Sequence, residues 1–228
     1  MDKDVRTVSR REFLKIAGIA GATIGVGAGL GGLVAACGDD TETTTTAAAE
    51  TTTTAAGTTE TVYSQAMRKN IQVRIVSPAG NNKPTLYLLD GLRAPKSTSG
   101  WLQNTDVDDW MVARNTNVVI PFGGGGSFYT DWEQRDPVLG LNKWETFLTK
   151  ELPAYMRKNH GSDNRRNGVA GLSMSGTAAL NLASRHPRFY DAVASYSGYP
   201  TVTMPGFTQG IQASVAEMGG NPNNMWGF

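Results

Sequence analysis

Hydrophobic and polar positions change rhythm along the chain, and each rhythm predicts an element. Ile71-Gln72-Val73-Arg74-Ile75-Val76 alternates apolar and polar before Ser77-Pro78, the pattern of an edge or half-buried strand. Thr85-Leu86-Tyr87-Leu88-Leu89 is a continuous apolar run closed by Asp90-Gly91, which predicts a central strand buried on both faces. Asp106 can cap a short helix over Val107 to Ala113, and Asn117-Val118-Val119-Ile120-Pro121 reads as a second buried strand. Lys143 to Lys158 places Trp144, Phe147, Leu148, Leu152, Tyr155 and Met156 at helical spacing, with a kink expected at Pro153. Val169-Ala170, a helix from Met174 to Arg185, and Ala192 to Tyr196 complete an alternation of strands and helices. That alternation implies an α/β fold with a mainly parallel sheet flanked by helices.

The first sixty residues follow no such rhythm. Met1 to Lys15 carries Arg6, Arg10, Arg11 and Lys15, and Ile16 to Ala36 carries no charge, the layout of an export signal. Ser9-Arg10-Arg11-Glu12-Phe13-Leu14-Lys15 matches the twin-arginine signal. The apolar stretch is long enough to span a bilayer, but seven glycines between Gly18 and Gly32 make it a poor permanent helix. Leu33-Val34-Ala35-Ala36-Cys37-Gly38 resembles the bacterial lipobox, which makes Cys37 the expected lipidation site and the start of a membrane-tethered mature chain. Cys37 is the only cysteine, so no intramolecular disulfide can form. From Gly38 to Thr61 half the residues are threonine; with so little large apolar surface, residues 38–61 are expected to be a disordered tether. The division is therefore 1–37 signal, 38–61 linker and 62–228 folded domain. The net charge of +1 gives no reason to expect nucleic-acid binding.

Candidate chemistry centres on Gly171-Leu172-Ser173-Met174-Ser175-Gly176, between a predicted strand and a predicted helix. A serine on a tight strand-to-helix turn projects its hydroxyl from the end of a sheet, beside unpaired helix N-terminal amides. Ser173 is thus the candidate nucleophile, although Ser175 stands where G-x-S-x-G has glycine, and an ordinary tight turn is the structural alternative. A second oxyanion donor is expected from the loop after an earlier strand, and Leu89-Asp90-Gly91-Leu92-Arg93 has that place; the amides assigned are those of Leu92 and Met174. Trp101, Trp132 and Trp144 read as packing residues. Gly123 to Gly126 lacks the Lys-Ser/Thr ending of a phosphate loop and reads as a flexible turn. Nothing in the sequence calls for a metal or an organic cofactor.

Together several blocks resemble the antigen 85 mycolyltransferases. These are Tyr87 to Ala94, Gly100-Trp101, Ser127 to Trp132, Lys143 to Thr149, Gly171 to Gly176 and Met225-Trp226-Gly227, in the same order from about Tyr63 to Phe228. The resemblance implies an α/β-hydrolase that moves a mycoloyl or other fatty acyl group between trehalose esters, cell-wall sugar or diacylglycerol through an acyl-serine. It implies Ser173 as nucleophile, the Leu92 and Met174 amides as oxyanion donors, and Asp90, Arg93 and Asn104 as contacts for the trehalose headgroup. Mutual pairing of Asp90 and Arg93 is the alternative use of those two side chains.

The family's catalytic glutamate and histidine lie beyond its Met-Trp-Gly block, and no residue here matches either. His160 reads as an exposed helix end, His186-Pro187 as a helix stop, and Asp191 as part of the following strand. The expectation is a domain lacking its C-terminal strands and helices, with little activity. The twin-arginine lipobox and threonine tether resemble exported solute-binding lipoproteins, and imply a location on the outer face of the cytoplasmic membrane or in the cell envelope. Two alternatives to an enzyme stay open: a non-catalytic surface protein that binds glycan, and a nonfunctional gene fragment.

Overall fold

A computed structural model describes residues 57–112 and 114–226. The signal, Cys37 and most of the predicted tether lie outside these residues. Six strands form one sheet in the order β1-β2-β4-β3-β5-β6: β1 (Thr58–Ser64), β2 (Lys69–Val76), β3 (Lys83–Leu89), β4 (Asn117–Pro121), β5 (Ser162–Leu172) and β6 (Tyr190–Tyr196). β4, β3, β5 and β6 run parallel to one another, while β1-β2 and β2-β4 are antiparallel. The helices are α1 (Gly100–Asn104), α2 (Val107–Val112), α3 (Trp144–Thr146), α4 (Leu152–His160), α5 (Met174–Arg185), α6 (Pro205–Glu217) and α7 (Asn223–Trp226).

The period-two geometry of β3 explains why its sequence is apolar throughout. Tyr87 and Leu89 face a large core with Val73, Val119, Val169, the α3–α4 side chains Trp144, Phe147, Leu152 and Met156, and Ala178 and Leu182 of α5. Leu88, with Val118, Ile120 and Ala170, faces a smaller cluster closed by α1 and α2 through Trp101, Leu102 and Met111. Each such buried aliphatic chain contributes about 1.5–3 kcal/mol. The two clusters hold the C-terminal ends of β3 and β5 side by side, and the loops that leave those ends build the site.

Three details differ from the sequence reading. Thr58 to Thr61 belong to β1, with Thr58 opposite Ile75 and Thr61 opposite Gln72, so the ordered region starts earlier than Val62. Only Val62 and Ser64 of β1 are buried, and a β-branched threonine run suits an edge strand that packs so little. β2 is not an edge, because β1 covers it. The irregularity near Pro153 lies upstream of it: Phe147–Glu151 form a π-helical turn in which the Leu152 N–H reaches Phe147 O. Proline has no N–H to return to Thr149 O, and the turn widens where that bond would have been.

Candidate active site

β3 and β5 are hydrogen-bonded neighbours with Leu89 opposite Gly171. Ser173 follows β5 by one residue and immediately precedes α5, at φ 55° and ψ −121°. That conformation is disfavoured for a residue with a Cβ, at a cost of about 1–3 kcal/mol. Several contacts hold it. The Ser173 N–H donates to Tyr196 O of β6 at 2.8 Å, and the Gly176 N–H donates to Ser173 O at 3.0 Å. The buried Ser175 hydroxyl is 2.7 Å from Leu89 O and accepts the Leu172 N–H at 2.8 Å, so it joins the end of β5 to the end of β3. Gly171 is required there, because a Cβ would lie 2.0 Å from Ser175 O. The result is an exposed Ser173 among buried neighbours from Met174 to Ala179.

The loop after β3 lies against this turn. A Cβ on Gly91 would stand 3.1 Å from Leu172 Cδ1 and 4.0 Å from Ser173 Cβ. Among the described residues neither the Leu92 N–H nor the Met174 N–H has an acceptor. Two main-chain donors are thus left unsatisfied among the described residues, one following the serine and one on the loop packed against its turn, and the Met174 amide carries the positive end of a twelve-residue helix. Such an arrangement can bind the oxyanion of an acyl-transfer intermediate.

The remaining sequence-predicted residues take different positions. The Asp90 carboxylate is buried and receives the Gly91 N–H at 2.7 Å and the Gly100 N–H at 2.6 Å. Arg93 is exposed and pairs with Glu217 of α6, so Asp90 and Arg93 do not pair with each other. Asn104 ends α1, exposed, and its side-chain amide donates to Gly100 O at 2.8 Å. Trp132 and Trp144 are fully buried, while Trp101 is half-buried with its Nε1–H on Leu89 O at 2.9 Å. Burial, followed by the Asp90 charge, raises the Tyr129 hydroxyl pKa; this hydroxyl accepts the Asp90 N–H at 3.1 Å.

Both histidines are committed elsewhere. His186 caps the far end of α5, thirteen residues from Ser173 or about 20 Å at helical rise, and its Nε2 is 2.7 Å from the Glu145 carboxylate. His160 is half-buried rather than exposed, with Nε2 3.1 Å from Glu60 on β1, four strands from β5. Burial opposes ionisation of Glu60, yet hydrogen bonds from Tyr155 and His160 bring its pKa below the usual range. The same balance holds at Glu145, where Arg185 and His186 outweigh burial. Asp191 is exposed on β6.

Sequence reasoning missed two supports. Ser175, read as a departure from the motif, is the hydroxyl that ties the two strand ends. The glycine run read as a flexible turn is packed: the Gly126 N–H donates to Leu92 O at 2.9 Å, and a Cβ on Gly125 would lie 2.9 Å from that oxygen. The run of four small residues was the available signal, since backbone can approach backbone closely only without side chains.

Comparison with known proteins bears on the family and the fold. The Esterase family model, described as Putative esterase, matches residues 64–228. The chain is 42% identical over 177 residues to the diacylglycerol acyltransferase/mycolyltransferase Ag85A of Mycobacterium ulcerans, covering 73% of this chain and 50% of that one. It is 40% identical over 172 residues to Ag85B of Mycolicibacterium smegmatis, covering 73% and 52%. The solved structure of MPT51 (FbpC1) from Mycobacterium tuberculosis superposes with a TM-score of 0.69 at 29% identity, covering 75% of this chain and 62% of that one. The chain spans about half the length of the curated relatives it matches. A sheet with helices on both faces, a serine on the turn after β5 and the match over 64–228 lead to one conclusion: the chain belongs to the esterase family of the α/β-hydrolase fold and is similar to the antigen 85 mycolyltransferases.

Proposed function

We propose that this chain carries the nucleophile and the oxyanion-binding amides of an exported acyltransferase or esterase. Ser173 Oγ attacks the carbonyl carbon of an acyl ester, the carbonyl oxygen becomes an oxyanion held by the Leu92 and Met174 N–H groups, and the carbon–alkoxy bond breaks so that the alcohol leaves with the serine's proton and the acyl group stays on Ser173. A sugar hydroxyl or water then takes the acyl group and restores Ser173. The observation that carries this reading is the exposed, strained Ser173 on a turn packed against the loop after β3, with two amides that have no acceptor among the described residues. The names of the relatives point to mycolyl groups and diacylglycerol, the family resemblance adds trehalose mycolate and other acyl-sugars as substrates, and the exposed Arg93 and Asn104 offer donors to a sugar headgroup. The twin-arginine and lipobox residues ending at Cys37 support export and tethering by lipid to the outer face of the membrane, near cell-wall glycan.

Removal of the serine proton needs a base, and neither histidine of the chain stands near Ser173. The described residues alone are therefore slow, and an added base should speed them. Hydrolysis of p-nitrophenyl butyrate by the full chain, measured with and without imidazole, tests this. A Ser173-dependent rate that rises with imidazole supports the reading; a rate unchanged by Ser173→Ala contradicts it. The committed histidines also favour a second reading, glycan binding without chemistry. In that case trehalose would bind, Arg93→Ala would weaken it, and no assay would show a Ser173-dependent rate.

A further inference from the structure

At the end of the sheet away from Ser173 the parallel strands begin and α4 and α5 finish, and four cations gather there. Arg157 and Lys158 stand in the last turn of α4, Arg165 near the start of β5, and Arg188 between α5 and β6. All four are exposed, and among the described residues none has a carboxylate within ion-pair distance. The acids nearby are committed. Asp163 receives the Arg165 and Arg166 N–H groups at 3.0 and 3.2 Å and the Arg166 guanidinium at 2.6 Å. Glu60 is held by Tyr155 and His160, and Glu145 by Arg185 and His186. Asp191, exposed on β6, offsets one of the four cations. A helix C-terminus favours positive charge, which accounts for Arg157 and Lys158, but Arg165 lies on a strand and serves no helix end. Arg157 and Lys158 also line, with Lys150, Asn164 and Phe189, an open cleft of about 470 Å³ that has no carboxylate in its wall. The chain's overall charge of +1 conceals this asymmetry.

The chain enters the domain at this same end. Thr58, the first residue of β1, lines one cleft with Asn159 and His160 at the finish of α4. Residues 38–57 separate it from Cys37. A segment of that length reaches at most about 70 Å, and about 25 Å as a random coil, so a lipid on Cys37 keeps the basic end within reach of the headgroups. We propose that the surface formed by Arg157, Lys158, Arg165 and Arg188 docks on the anionic phospholipid headgroups of the membrane, with one headgroup phosphate seated in the cleft beside α4. The inference rests on the tethering part of the proposed function. Three of the four cations are arginines, whose planar forks match phosphate oxygens. A lipid anchor combined with a basic patch holds a membrane more firmly than either alone, and the attraction acts within about 10 Å of the surface. Docking also fixes orientation. Ser173 lies eight residues beyond Arg165 along β5, about 26 Å at strand rise, so the serine faces away from the bilayer and toward the cell wall.

The test uses the full lipidated chain on vesicles of phosphatidylcholine, with or without about one-third phosphatidylglycerol. Brief treatment with acetic anhydride, followed by mass spectrometry, reads each lysine. Lys158 should react about tenfold more slowly on the anionic vesicles than on the neutral ones, and about 0.5 M NaCl should erase the difference. Lys96, packed near Gly123 at the Ser173 end, should react alike on both. The variant Arg157→Gln/Arg165→Gln/Arg188→Gln alters exposed side chains alone, so it should unfold at the wild-type temperature and leave Lys158 equally reactive on both vesicles. Equal reactivity of Lys158 in the wild type would overturn the proposal. Protection by inorganic phosphate or soluble polyphosphate, with none on vesicles, would overturn it too and give the surface to a soluble anion. Flotation separates this inference from the tether. A lipid-anchored chain floats with both kinds of vesicle. A chain that floats with the anionic vesicles alone, and stops doing so in the triple variant, contradicts the tether but upholds the basic surface; a chain that floats with neither overturns both.

Discussion

At the N-terminal end of α5, Ser173 stands exposed on a strained turn, and the Met174 and Leu92 amides have no acceptor among the described residues. At its C-terminal end, His186 and Arg185 share the buried Glu145 carboxylate at 2.7 and 2.9 Å. Both ends hold groups that can do chemistry, but they use them differently. The histidine end resembles the acid–base half of a hydrolase triad in composition, yet its groups satisfy one another and tie α5 to α3. The serine end has few ionisable groups and keeps backbone donors unspent. The contrast is between an end that leaves hydrogen-bonding capacity unused and an end where titratable side chains are numerous but satisfied.

The sharpest way to break this contrast is Ser173→Ala, which should remove all serine-dependent hydrolysis and all labelling by a fluorophosphonate, whereas His186→Ala should leave both at wild-type levels. Gly171→Ala comes next. A Cβ 2.0 Å from Ser175 O must move backbone, so urea unfolding should show a loss of about 3 kcal/mol or more. At the other end Glu145→Ala strips Arg185 and His186 of their acceptor but leaves them partly solvated. The same measurement should give about 1–2 kcal/mol, with the serine chemistry unchanged.

Acid should separate the ends further. Asp136 is buried, which pushes its pKa up, but the N–H groups of Asn221, Leu139 and Val138 and the Asn224 amide hold it below its ordinary 3.8. A carboxyl whose folded pKa is depressed contributes stability that is complete above the unfolded value and disappears as pH falls through the folded one. Glu60, Glu145 and Asp163 are depressed as well. Stability should therefore be flat above about pH 5 and fall below about pH 4, as thermal unfolding against pH would show; Asp136→Asn should flatten part of that fall. The smallest effect belongs to Arg93→Ala. Its pair with Glu217 is 70% and 48% exposed, so the stability change should stay under about 1 kcal/mol, while trehalose binding weakens.

Much of the serine end was legible in the sequence. The strand before Gly171, the helix after Ser173 and the apolar run closed by Asp90-Gly91 are local signals, and they placed Ser173, Leu92 and Met174 on neighbouring loops. The histidine end was not legible, because its partners are distant: Glu145 is 41 residues from His186, and Glu60 is 100 from His160. β1 escaped because a threonine-rich edge strand carries little apolar surface and looks like tether. Asp90 could be given a sugar-binding role from resemblance, but only the structure shows both oxygens turned onto backbone.

Ser173 and the Leu92 and Met174 amides should act as one oxyanion-binding unit. A crystal structure of the chain after prolonged exposure to a serine-reactive phosphonate tests it most directly. A phosphonyl group is expected on Ser173 Oγ with one oxygen about 2.7–3.1 Å from both amide nitrogens. An adduct on another residue, or a Ser173 adduct whose oxygens meet neither amide, would contradict it.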